Sequence, residues 1–282
     1  MAAVETSDED LVFAAVQGEL AALDTLVRRH QSWVFNLALR MVWRREVAED
    51  ATQDILIKAV THLGTFEGRS KFSTWLHRIA VNHLLNVRKS EMEEKAMTFT
   101  DMAASLDTVM DEELADVKSL PVEMVLLVEE ARLGCITAML MCLDRRQRLA
   151  FILGEVFGES GDAAAAAMEI SPANFRQLLS RARHDLYQFM NHKCGLVNTA
   201  NPCRCARKAA GFMRNGWLDS SNLQFSKDRI AEMRDGAPAH LEELQKLDRQ
   251  HAQLYHTQPF LAGPDLADNL RHLLSQSRFD KN

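Results

Sequence analysis

The chain reads as all-α: two small helical domains joined by an acidic linker, followed by a helical C-terminal extension. Three observations predict this. Gly (12) and Pro (6) are scarce among 282 residues while Ala and Leu abound. Period-two alternation is hard to find, and apolar residues recur at helical spacing along most of the chain. The length suits two or three small domains. The apolar (47%) and charged (26%) fractions are those of an ordinary globular protein. No apolar run approaches the roughly 20 residues of a membrane span. The N-terminus "MAAVETSDEDL" lacks the charged-then-apolar pattern of an export signal. A cytoplasmic location is therefore expected, and structural disulfides are a poor default for the five cysteines.

Residues 9–90 form the first domain. Gly18 separates a short first helix from a longer second one, whose inward stripe is Leu23, Leu26, Val27, Val34, Leu37, Ala38 and Met41. "EVAEDATQDILIKAVTHL" is a third helix, with Ile55, Leu56, Ala59, Val60 and Leu63 inward and acids in its first turns, where the helix dipole favours them. "GTFEGRSKF" is a loop, and Ser73 or Thr74 is placed to cap the helix "TWLHRIAVNHLLNVRKS". Residues 91–120 are acidic and weakly periodic, hence a linker. The second domain spans 121–190. Pro121 opens its first helix, Asp144 caps "RRQRLAFILGEVFG", "DAAAAAM" is a short helix, and Ser171-Pro172 start the next. Residues 191–282 are the extension, with helices expected in "HLEELQKLDRQHAQLYHTQPF" and "PDLADNLRHLLSQSRF".

Charge is distributed unevenly. Residues 91–134 carry twelve acids against three bases, whereas 171–215 carry eight bases against one acid. At an overall net charge of −6, the basic stripe is the part that suits a polyanion. Within it, "SGDAAAAAMEISPANFRQLLSRAR" fits a helix-turn-helix. A small-residue helix permits close packing, Met168 and Ile170 flank the turn, and Glu169 stands where Gly is usual. The second helix offers backbone N–H groups at Ser171, then Asn174, Arg176, Gln177, Ser180, Arg181 and Arg183. Arg and Asn/Gln suit base edges, and the other polar groups suit phosphates. A plain helical hairpin with a solvated basic face gives the same pattern. The second constellation is "FEGRSKFSTWLHRIAVNHLLNVRK", in which cations stand beside aromatics, as single-stranded nucleic acid requires. The alternative for Phe72 and Trp75 is a place in the core. No phosphate loop, carboxylate pair or His-acid-nucleophile set is present, so no enzyme is expected.

Together these residues resemble the extracytoplasmic-function group of the bacterial sigma-70 family. "AEDATQDILIKA" and "FSTWLHRIAVN" are similar to its region 2, and "LDRRQRLAFILGEVFGESGDAAAAAMEISPANFRQLLSRARHDL" to its region 4. The resemblance implies a factor that directs core RNA polymerase to promoters and needs no cofactor. It implies that Asp50, Gln53, Asp54 and Lys58 dock on the β′ clamp helices. Phe66, Arg69, Lys71, Trp75, Arg78 and Asn82 would capture and melt the −10 element. Ser171, Asn174, Arg176, Gln177, Ser180 and Arg181 would read the −35 element near the β flap. The acidic linker would run near the RNA exit path, and an anti-sigma factor is a candidate further partner. Phe175 stands where the family has a smaller apolar residue, and Leu178 where it has a polar or basic one.

Members of the group typically end after region 4, whereas this chain continues into "HKCGLVNTANPCRC". His192, Cys194, Cys203 and Cys205 offer two chelating pairs, suited to zinc, or to copper(I) through the thiolates. Lys193, Arg204, Arg207 and Lys208 would lower the thiol pKa values. A redox pair and an inert turn remain open. Cys135 and Cys142 read as small buried apolar residues. Tyr255, His256, Phe260 and Leu261 are expected to pack the later helices onto the domains. Three functions are in play: a sigma factor regulated by its extension, a stand-alone helix-turn-helix regulator, and a metal or redox sensor.

Overall fold

The computed structural model describes residues 6–87, 97–111, 122–225, 254–255, 260–261 and 263–267. Among them are ten α-helices and no strands. The helices are α1 (Asp8–Val16), α2 (Leu20–Val42), α3 (Arg45–Thr61), α4 (Phe72–Asn86), α5 (Phe99–Thr108), α6 (Val122–Met141), α7 (Arg145–Phe151), α8 (Gly161–Ala167), α9 (Pro172–Lys193) and α10 (Cys205–Arg214). No described helix is long and apolar enough to cross a membrane. The residues fall into two compact units. One draws on Met1–Arg88, Gly161–Asn174 and Phe260–Asn282, the other on Lys89–Ser160 and Phe175–Pro259.

The first unit is built around α2. Val34, Phe35, Leu37 and Ala38 are completely buried, and α2 packs on α3, which buries Ile55 and Leu56, and on α4, which buries Leu76, Ala80, Val81 and Leu84. Ser7 caps α1 by accepting from Asp10 N–H, and Gly18 (φ 99°) ends the helix in a conformation that L side chains rarely adopt. Helix α4 starts at Phe72, ahead of the expected Ser73 or Thr74 cap. Its free Phe72 N–H is met by the Glu9 carboxylate of α1 at 3.2 Å.

Residues 260–261 and 263–267 belong to the same unit, and several of them bond to α2. Asn36 is fully buried. Its amide donates to Leu261 O at 2.7 Å and its carbonyl accepts from Leu261 N–H at 3.0 Å. Asp265 pairs with Arg28, and Gln31 accepts from Leu266 N–H. Leu261 thus packs as expected, while Phe260 is half exposed with Arg40 over its ring. His256 and most of the two helices expected in the extension lie outside the described residues.

The second unit packs α6, the α7 turn and α9 around Leu133, Leu140, Phe151, Ile152, Phe175, Leu186 and Met190. Tyr255 is fully buried there, its ring edge-on to Phe151. Asp144 caps α7 as expected, and Gln147 completes a capping box with it. The buried Arg148 guanidinium donates to Leu140 O and Leu143 O, satisfying carbonyls at the end of α6. Two features depart from expectation. The helix after Asp144 widens into a π turn at Ile152–Val156. The described part of the acidic linker forms α5, closed by a Thr98–Asp101 capping box.

His77, in the first unit, stacks on Trp33 with ring centroids 3.5 Å apart. Burial, helped by His30, pushes its pKa down from 6.5 to about 3. The folded chain keeps this ring neutral where the unfolded chain takes up a proton. Its contribution to stability is whole above pH 6.5 and is lost as pH falls from there towards 3. Within that window the slope approaches ~1.4 kcal/mol per pH unit. His77→Phe, which keeps a stacked ring, should flatten the dependence of the urea midpoint on pH below 6.5. An unchanged slope would assign the effect to another group.

Candidate polymerase and nucleic-acid interface

Helix α3 buries Ala48, Ala51, Thr52, Ile55, Leu56 and Ala59. Helical periodicity then sends Asp50, Asp54 and Lys58, spaced four apart, to the opposite face, where they are exposed beside the half-buried Gln53. The set expected to dock on polymerase is therefore one contiguous polar stripe.

The −10 set divides in two. Phe66, Phe72 and Trp75 form an aromatic cluster with centroids 5.6–5.8 Å apart. Trp75 is only 8% exposed, so it is no open stacking platform. Its ring instead walls a groove of about 560 Å³ with Lys58, His62, Thr65, Ile79, Asn82, His83, Asn86 and Val87. Arg69, Lys71, Arg78 and Asn82 are exposed, and Gly68 (φ 69°) turns the loop that carries Arg69. Asn82 donates to Glu169 Oε2 at 3.2 Å, and Arg78 Nε stands 3.8 Å from Glu169 Oε1. Glu169 itself is left-handed (φ 53°) in the turn after α8. Two groups assigned to nucleic acid thus face a carboxylate within the first unit.

His83 was missed by sequence reasoning. Lys58 Nζ stands 2.7 Å from its Nδ1. An ammonium only donates, so Nδ1 accepts and the ring carries its proton on Nε2, 3.9 Å from Asp54. Burial first, then Lys58, lowers its pKa, with Asp54 opposing. The ring stays neutral and ties the outer stripe of α3 to the groove on α4.

On α9, Phe175, Leu179, Ala182 and Leu186 are buried. Ser171, Asn174, Arg176, Gln177, Ser180 and Arg181 are all exposed, and Ser171 Oγ accepts from Asn174 N–H as the cap. Phe175 fills the space above Gly154, where a Cβ would stand 2.9 Å from Leu179 and 3.2 Å from Phe175. Glu155, in the π turn, accepts from Arg183 and from Tyr187 O–H. Arg183, itself exposed, is thereby tied to the π turn, unlike the six polar residues of the −35 set.

The cysteine segment folds as a braced loop. Cys194 and Cys203 form an isolated parallel bridge. Asn201 donates to Cys194 O, and Arg204 to Thr199 O and Cys203 O. His192 does not join the thiols. It lies on the exposed face of α9 with Ser180 and His184, its Nδ1 2.7 Å from Gln188 O. Among the described residues, no three His, Cys, Asp or Glu side chains stand together as a metal site. The four residues expected to hold zinc or copper are not gathered into one site among the described side chains. The expected lowering of thiol pKa is also corrected for Cys203. Burial and neighbouring Cys194 push it up to about 11, although Lys208 and Arg204 oppose them. Burial first, then the neighbouring Cys205, Cys203 and Cys194, raises Cys135, and burial raises Cys142 to about 12.

Residues 26–93 match the family model described as Sigma-70 region 2, and residues 133–186 the one described as Sigma-70, region 4. The chain is 30% identical over 181 residues to the RNA polymerase sigma-H factor of Pseudomonas aeruginosa, covering 64% of this chain and 91% of that one. It is 30% identical over 179 residues to the ECF RNA polymerase sigma-E factor of Escherichia coli K12, covering 64% and 92%. The structure of CnrH in complex with the cytosolic domain of CnrY aligns over 66% of this chain and 99% of that one, at 22% identity and a TM-score of 0.48.

Trp75 and Asn82 line one groove but differ in burial, so their variants should separate. Trp75→Ala should cost about 3–5 kcal/mol in urea unfolding. Asn82→Ala should change stability by less than about 0.5 kcal/mol. Similar losses for both would refute this division.

Proposed function

Because the chain belongs to the extracytoplasmic-function group of the sigma-70 family, we propose how its helices share the work of promoter-directed initiation. The chain directs RNA polymerase to promoters. In this reading, Asp50, Gln53, Asp54 and Lys58 meet the clamp helices of β′ as one stripe. Arg69 and Lys71 hold backbone phosphates, and the groove behind Asn82 takes a base pulled out of the −10 duplex. Trp75 supplies the groove wall and Asn82 the hydrogen bonds to a base edge. Glu169 would give up Arg78 and Asn82 as nucleic acid enters. At the −35 element, Arg176, Gln177 and Arg181 face the major groove from α9, while Ser171 and the first backbone N–H groups of that helix meet phosphate.

The observation that carries this reading is the sorting of residues by burial. On α3 and α9 nearly every assigned polar residue is exposed while its helical neighbours are buried. An adverse field at net −6 also fits a factor that core polymerase brings to DNA. An anti-sigma factor is a further proposed partner. CnrH is bound by the cytosolic domain of CnrY.

Run-off transcription with purified core polymerase tests the proposal. Promoter-specific transcripts should require both chain and core. Asn82→Ala should slow open-complex formation about tenfold or more with core affinity within about twofold, since one base-edge contact is worth ~1–3 kcal/mol. Arg176→Ala combined with Arg181→Ala should weaken promoters that depend on the −35 element and spare the rest. Specific binding of duplex DNA by the free chain, with no transcription on adding core, would favour a stand-alone regulator instead.

A further inference from the structure

The connector between the two regions should be a free acidic tether if its composition ruled. Its described part, residues 97–111, is instead folded onto the second unit. Phe99 packs on Phe189 of α9, ring centroids 5.2 Å apart. Met102, Leu106 and Val109 are buried, and Cys142 Sγ lies 3.8 Å from Met102 Sδ. Two buried side chains on the ten-residue helix and one just past it are few, because an isolated helix of this length is marginal in water.

The remaining grip comes from residues beyond the span matching region 4, which ends at residue 186. Lys193 Nζ pairs with Asp107 at 2.7 Å. Lys208, only 7% exposed, donates to Leu106 O at 3.1 Å and to Val109 O at 2.6 Å, and pairs with Asp111 at 3.0 Å. A buried ammonium is costly without partners, and the connector supplies all three. The carbonyls of Leu106 and Val109 lie at the open end of α5, where a cation also complements the helix dipole. Gly211 completes the fit. A Cβ there would collide with Val109 Cγ1 and stand 3.0 Å from Met110 O, so α10 and the connector approach as closely as backbones allow. The charges agree with the contacts. Residues 97–111 carry three acids and no base, and 193–214 five bases and no acid.

The Cys194–Cys203 loop explains how α10 reaches this position. The parallel bridge and the Asn201 and Arg204 bonds turn the chain back after α9. Gly195 leaves no room for a side chain against Cys203 O. Lys193 before the loop and Lys208 after it then bracket the same stretch of connector.

We propose that residues 193–214 are a cis-acting clamp on the acidic connector, and that binding to polymerase releases it. The release rests on the sigma-factor reading above; the clamp does not. Held in this way, the connector would be available to polymerase only once Lys193 and Lys208 let go of it.

Hydrogen–deuterium exchange of the full-length chain tests both parts. In the free protein, amides of residues 99–109 should be protected. Lys208→Met, which keeps the stem and removes the ammonium, should speed their exchange roughly tenfold or more and leave residues 145–190 unchanged. Gly211→Val should do the same through the collision with Val109. If Gly211→Val does not fold, Lys193→Ala, at a half-exposed position, provides the second variant. Equal exchange of residues 99–109 in wild type and Lys208→Met would overturn the clamp. On adding core polymerase to wild type, these amides should lose protection. Polymerase binding with their protection intact would overturn the release, whereas no polymerase binding would count against the sigma-factor reading and leave the clamp standing. At limiting core polymerase, Lys208→Met should yield several-fold more transcript than wild type. A lower yield, with core affinity unchanged, would contradict the regulatory role.

Discussion

The second unit depends on the buried stripe of α9. Phe175, Leu179, Ala182, Leu186 and Met190 recur every three or four residues and lock the helix against the π turn at Ile152–Val156. The close seat that Gly154 leaves for Phe175 and Leu179 fixes rotation about the helix axis. Glu155 fixes it again through Arg183 and Tyr187. Once that rotation is set, Arg176, Gln177, Ser180 and Arg181 have no choice but the outside. Base readout needs side chains held at defined angles, and a loosely seated helix would blur it. The same helix runs on to Lys193, so its seating also positions the first residue that grips the connector.

In the first unit the equivalent constraint is the burial of α2. Its apolar stripe leaves α3 and α4 one inward face each. The polymerase stripe and the groove are what remain outside. His83 joins them, because it accepts from Lys58 of α3 and stands beside Asn82 of α4. The faces proposed for docking and for strand capture are thus joined through one side chain. The tail at residues 260–261 and 263–267 adds to this unit by completing the hydrogen bonds of Asn36. A buried amide left without Leu261 would be costly, so the tail is part of the fold of α2.

Long amphipathic helices with local start signals were legible in the sequence. The stripe of α2, the Asp144 cap and the Ser171-Pro172 start depend on neighbours within a few residues. So does the spacing of Asp50, Asp54 and Lys58, which needs only the helical period. What was hidden depends on distant partners. Helix α5 carries its own Thr98–Asp101 box, but its apolar face is narrow and its carbonyls are met by Lys208, about a hundred residues on. The pairing of Asn36 with Leu261 spans 225 positions. For Trp75 the sequence left both a base platform and a core place open, because aromatic residues beside cations read the same whether exposed or buried; at 8% exposure it is core. His192 looked like a ligand because sequence adjacency to Cys194 says nothing of the direction in which a helical side chain points. The loop from Cys194 to Cys203 fixes the path of the chain from α9 into α10.

In the proposed mechanism this chain opens promoter DNA only as part of polymerase, through the groove on α4. Permanganate reactivity of thymines in the −10 element reports that opening directly. The account predicts reactive thymines with chain and core together, none with either alone, and few with Asn82→Ala at equal occupancy of core. Reactive thymines at wild-type level with Asn82→Ala, or with the chain alone, would contradict it.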